Sequence, residues 1–178
     1  MNSLNIEENL GLTPALNLAE ELISSDNFPV VLCLGECGTG AIYAKMVAEL
    51  LVLKYRAKAY VYGRNKNNIC EKNLNTAIKF VSNRHKNSKI IVVVSKLSNR
   101  EDRNLLLYGK GRSIYNNQTL GDFCICASLN SMGLWGNKKL ELNNVADLTA
   151  KIINAGIIFS DKLKECNTLD NLNIVWGV

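Results

Sequence analysis

An α/β fold, with a mostly parallel twisted sheet between two helical layers, is what this sequence predicts, on three observations. Short apolar runs with strand character alternate with stretches of helical periodicity through the first half of the chain. One of those runs, Ile90–Val94, is almost entirely β-branched, as a central parallel strand buried on both faces should be. A third run, Val30–Leu34, breaks at Gly35 and leads into a helical pattern from about Gly40. That strand–glycine turn–helix unit sets backbone N–H groups at the carboxyl edge of a sheet, where open α/β folds bind their ligands.

The elements follow in order. Thr13-Pro14 pairs an N-cap with proline at the first helical position, and Leu16, Ala19, Leu22 and Ile23 supply an apolar stripe. Asn27-Phe28-Pro29 ends that helix, and Val30–Leu34 forms the first strand. A second helix runs from about Gly40 to Tyr55, with Ile42, Met46, Leu50 and Leu53 along one side. Ala57–Gly63 is the next strand, and Glu71–Asn83 the next helix, with Leu74, Ala77, Ile78 and Val81 facing inward. After Ile90–Val94, two further strands are expected at Asn104–Tyr108 and Phe123–Leu129, joined by a polar loop over Gly109–Gly121. A last helix spans about Asn144–Lys164, with Val145, Leu148, Ile152, Ala155, Phe159 and Leu163 inward. All 178 residues are read as one domain, with 1–12 and 168–178 flexible or peripheral and Leu172–Val178 either an edge strand or free.

Composition narrows the function classes. With 47% hydrophobic and 21% charged residues, the chain is ordinary for a soluble domain, and no segment reaches the roughly 20 uncharged apolar residues of a membrane span. The start of the chain has no basic-then-apolar signal pattern, so a cytoplasmic location is expected. Six cysteines show no paired zinc spacing and read as reduced thiols. Charge is uneven: residues 1–28 hold five acids and no base, and residues 54–89 hold ten Lys or Arg against Glu71 alone. The basic stretch reads as a solvated helix face with its flanking turns. No aromatic–basic alternation or base-reading motif accompanies it, and a nucleotide- or nucleic-acid-binding module is therefore the less favoured alternative.

The glycine turn offers Gly35, Glu36, Cys37, Thr39 and Gly40 at the sheet edge. Its spacing, Gly35-x-x-Gly38-x-Gly40, matches neither the dinucleotide nor the phosphate-loop pattern, and Glu36 would repel a pyrophosphate even with Arg64 placed to meet a ribose phosphate. His85, the only histidine, sits in Asn83-Arg84-His85-Lys86-Asn87 and reads as a solvated helix C-terminus. Glu36 and Asp122 are the weak candidates for a pair of catalytic carboxylates.

Several segments, collinear over about residues 10–160, resemble the YyaC-type sporulation protein family. They are C-L-G-E-C-G-T-G at 33–40, V-Y-G at 61–63, N-L at 73–74, I-I-V-V-V at 90–94, Y-G-K-G at 108–111, L-G-D-F-C-I at 120–125 and L-N-S-M-G at 129–133. That family is similar in turn to the germination protease of spore formers and to hydrogenase maturation proteases. The resemblance implies a phosphorylase/hydrolase-like fold with a cleft at the strand ends. By the same resemblance the relatives' acid after the turn falls at Ala41, the acid after the central strand falls at Ser95, and two family histidines fall at Cys70 and Cys124.

Only Asp122 survives as a matching acid. An aspartate-type peptidase needs two carboxylates to activate water, and an alanine and a serine supply neither. The expectation is therefore a sporulation-associated protein that binds a protein or peptide without cleaving it and without a cofactor. Its cleft would comprise Gly35, Glu36, Cys37, Thr39, Gly40, Ser95, Asp122 and Asn130. Two other readings stay open: a peptidase using Glu36 and Asp122, and a thiol or metal site formed by Cys37, Cys70 and Cys124. Trp135 and Trp176 are secondary docking candidates. The sequence does not indicate an oligomeric state.

Overall fold

A computed structural model describes residues 2–5, 12–35, 39–64, 69–98, 105–110, 121–130 and 137–175. Ten elements make up its frame: β1 (Asn2–Asn5), α1 (Leu12–Leu22), β2 (Val30–Cys33), α2 (Thr39–Glu49), β3 (Tyr60–Tyr62), α3 (Leu74–Arg84), β4 (Ile90–Ser98), β5 (Leu105–Lys110), β6 (Phe123–Asn130) and α4 (Asn137–Val175). The strands form one six-stranded sheet in the order β1-β5-β6-β4-β2-β3. The β3–β2–β4–β6 half is parallel, and β5 and β1 close the other side antiparallel. The chain is thus α/β, with a mixed, mostly parallel sheet flanked by helices.

Burial on both faces explains why β2 and β4 are unbroken apolar runs. Val31, Cys33, Ile91, Val93, Phe123 and Ile125 pack against α1, α2 and α4, whereas Val30, Leu32, Ile90, Val92, Cys124 and Cys126 pack toward α3. Leu74 and Val81 are the buried anchors of α3, with Ala77 and Ile78 partly buried beside them, as its periodicity predicts.

The other helices turn a different side inward. In α2 the core residues are Tyr43, Ala44, Val47 and Ala48, while Ile42 is 43% exposed and Leu53 63%. Small alanines let α4 close onto α2, and the Tyr43 hydroxyl finds a buried partner in Thr149 Oγ1 at 2.8 Å, so size and polarity mattered more than aliphatic content. Leu50–Lys54 continues α2 as a π-helical turn, with the Tyr55 amide donating back to Leu50 O at 2.9 Å. In α1, Leu18 replaces Leu16 as the inward residue, and Gly156 of α4 is where the Leu18 side chain presses closest.

The two ends differ, and the edge strand or free tail expected at Leu172–Val178 is replaced by helix as far as it is described. Asn2–Asn5 is an edge strand paired with β5 from Asn2↔Tyr108 to Asn5↔Leu105. At the other end, α4 runs 39 residues, about 58 Å at the helical rise, and takes in Leu172–Val175. Its buried residues stop at Ser160 among those whose side chains are described, so the stretch 161–167 runs past the core. No helix among the described residues is long and apolar enough to cross a membrane.

Candidate functional site

The carboxyl edge of the parallel strands is built by backbone first. β2 ends where the Leu34 amide donates to Val93 O at 2.7 Å and the Gly35 amide donates to Ile69 O at 3.0 Å. Gly35 is required there because a Cβ would lie 2.5 Å from Ala41 Cα, so its absence lets the start of α2 sit against the strand end. Gly63 closes β3 with φ at +101°, and any Cβ would run into the Cys33 carbonyl oxygen. Beyond Ile69, the Cys70 amide donates to Asn73 Oδ1 at 2.8 Å and fixes the entry to α3.

Ser95 belongs to this edge but lies inside β4, which continues to Ser98 and pairs Ser95 with Ala127. Since Cys33 is level with Val93, Ser95 falls level with Gly35, two residues past the end of β2. It is buried, and strand alternation puts it on the face that carries Ile91, Val93 and α2. Ala41, in the first turn of α2, lies against Gly35 and so close to the level of Ser95. A helix start with unpaired N–H groups favours a carboxylate or other anion. Asn130 ends β6 opposite Ser98 at the same edge.

Asp122 is elsewhere, and its place in the cleft is corrected. It precedes β6 at the amino edge, where its Oδ2 accepts from the Ile90 amide at 2.7 Å and its own amide donates to Ile90 O at 2.8 Å. Lys89 Nζ lies 3.5 Å from Oδ1. From Ile90 to Ser95 is five residues of strand, about 17 Å, so Asp122 cannot act with a group on the Gly35–Gly40 turn. The sequence misleads here because an acid just before a strand and an acid just after one look alike on a linear motif.

Cys124 faces Val92 within the sheet and is buried, which pushes its thiol up to about 12; Cys33 is pushed to the same value by the same cause. Both stay neutral thiols rather than thiolate ligands or nucleophiles. Cys70 stands apart from Cys124, beside the carboxyl end of β2. Among the described residues no three His, Cys, Asp or Glu side chains gather to hold a metal ion. Glu36, Cys37, Trp135 and Trp176 lie outside the described residues.

A family model described as a protein of unknown function (DUF1256) matches residues 4–155, from β1 into the middle of α4. The chain belongs to that family. The DUF1256 match thus takes in β2 to β6 whole and the last two residues of β1. No curated protein and no solved structure matches the chain.

One residue of this DUF1256 chain is less solvated than its place in the sequence suggests. His85 caps α3, but it is only half exposed: its ring stacks on Tyr60 with centroids 4.0 Å apart, and its Nε2 lies 2.7 Å from the Tyr62 hydroxyl. Burial, with the Arg84 charge beside it, holds its pKa below the ordinary imidazole value. The signal was the Tyr60-Val61-Tyr62 alternation, which sets both tyrosines on one face of an edge strand.

Proposed function

We propose that this chain is a non-catalytic binding protein of the sporulating cell, on a peptidase-type phosphorylase/hydrolase-like scaffold, that holds a protein or peptide at the carboxyl edge of its sheet. The cytoplasm is its compartment. The observation that carries this reading is that Ser95 falls level with Gly35, against which Ala41 at the start of α2 packs. By the resemblance to the YyaC-type proteins, positions 41 and 95 are where relatives place acids. Here this edge keeps the amino-terminal turn of α2, and helix-start N–H groups can receive a carboxylate or a peptide carbonyl. The remaining matching acid, Asp122, is bonded into the opposite edge.

Hydrogen exchange of the full chain, with and without unstructured peptides and small spore proteins, tests the reading. Slowed exchange over 31–35, 39–44 and 92–98 is the expected result. Slowing confined to other segments, or none with any ligand, would remove the carboxyl edge as the binding surface.

A further inference from the structure

Five rings from separate parts of the sequence form a continuous strip along β3 and α3. Phe28 meets Tyr60 edge-on at 6.2 Å, Tyr60 stacks on His85 at 4.0 Å, His85 meets Tyr62 at 5.8 Å, and Tyr62 meets Phe80 at 6.3 Å. Three of them face outward: Phe28 and Phe80 are 54% exposed and Tyr60 43%. A hollow of about 380 Å³ opens over one end, lined by Phe28, Tyr60, His85, Arg84, Lys86 and Asp26, with Asn27 and Ser88 at its margin. Its size is that of a small-molecule pocket, large enough for a base and its sugar.

Charge decides what this strip fits. The chain from Lys72 to Lys89 carries five Lys or Arg and no acid. Lys89 is held by Glu21 and Asp122, but among the described residues Arg84 and Lys86 have no ion-pair partner. Lys79 stands exposed beside Phe80 on α3. Exposed rings with unpaired cations along one track are the arrangement by which proteins hold single strands, since every base offers a π-face and every nucleotide a phosphate. Asp26 is the acid in the lining, and a carboxylate there is an acceptor suited to the N–H donors of a base edge.

We infer that the Phe28–Tyr60–His85–Tyr62–Phe80 strip, with Lys79, Arg84 and Lys86, binds single-stranded nucleic acid. The surface lies at β3 and the amino edge, apart from the peptide-binding edge proposed above, and stands or falls independently of it. The basic run alone shows no aromatic interleaving, because the rings come from the α1–β2 connection, β3 and α3.

Fluorescence anisotropy of the full chain with a labelled single-stranded oligothymidylate of about 12 nucleotides tests the inference. Binding is expected at about 50 mM salt and should fall steeply by about 200 mM. Phe28→Leu and Phe80→Leu keep apolar bulk and remove a ring from exposed positions. Each should weaken binding about fivefold or more at fixed salt while leaving the salt slope unchanged. Arg84→Gln and Lys86→Gln should each flatten the logarithmic salt slope by about 0.7. No binding at low salt overturns the inference, as does equal affinity for duplex of the same length. Affinity for polyglutamate that matches the oligonucleotide, insensitive to Phe28→Leu and Phe80→Leu, assigns the surface to acidic peptides instead and overturns it too.

Discussion

The Asp122 carboxylate accepts a 2.7 Å hydrogen bond from the backbone amide of Ile90, which joins the start of β6 to the start of β4 before their ladder begins. The Asp122 amide returns a bond to Ile90 O, so the two residues are linked both ways. Asp122→Ala leaves the Ile90 amide without its acceptor and Lys89 with Glu21 alone. A stability loss of about 1–2 kcal/mol is expected from urea unfolding. Peptide binding at the carboxyl edge should be unchanged, and a large loss of it would contradict the placement of Asp122.

The buried Tyr43–Thr149 pair gives an asymmetric prediction. Thr149 donates its proton to Val145 O at 2.9 Å, so the 2.8 Å bond between the hydroxyls is donated by Tyr43. Tyr43→Phe removes the donor and leaves Thr149 still bonded, for a cost of about 1 kcal/mol. Thr149→Val strands the Tyr43 hydroxyl in the core and should cost more, up to about 3 kcal/mol. Equal costs in thermal unfolding would contradict this assignment of the donor.

Acid stability should depend on Asp147. Burial alone would raise its pKa, but hydrogen bonds from Lys54, Tyr55 and Lys151 outweigh that and hold it at about 2. A depressed carboxylate stabilises the fold above its unfolded pKa, and that contribution is lost as pH falls from about 4 through about 2. Lys54 and Lys151 are more than half exposed, so screening reduces the contribution to about 1 kcal/mol. Asp147→Asn should therefore be less stable than the parent at pH 7 and indistinguishable from it near pH 2. Equal stability at both pH values would contradict the ion-pair account.

At Gly63 the backbone itself is the constraint. Its φ of +101° and its contact with the Cys33 carbonyl leave no room for a side chain. Gly63→Ala should cost about 2 kcal/mol or more, read as a lowered urea midpoint. A neutral result would mean that β3 can shift away from β2.

What could be read in the sequence follows from where each signal is stored. Val30–Leu34, Ile90–Val94 and Phe123–Leu129 were legible because buried parallel strands are apolar on both faces, and α3 because its inward residues keep helical spacing. Asn2–Asn5 was not legible: its partner supplies the pairing through backbone bonds, and Asn-Ser-Leu-Asn carries no strand signal of its own. The inward side of α2 was misjudged because Tyr43 and two alanines make the contact with the core in place of its larger aliphatic residues. Near the candidate site, the end of a strand just before Gly35 and the start of a helix near Gly40 were legible. Whether an acid lies at the carboxyl or the amino edge was not, since only register separates Asp122 from Ser95.

Mass spectrometry of unstructured peptides and small spore proteins after long incubation with the purified chain tests the central claim most directly. The account predicts bound but intact ligands, with binding weakened by Ser95→Val and no new fragments at any pH. Fragments that accumulate with time and vanish in Glu36→Gln or Ser95→Ala would show a working peptidase and contradict it.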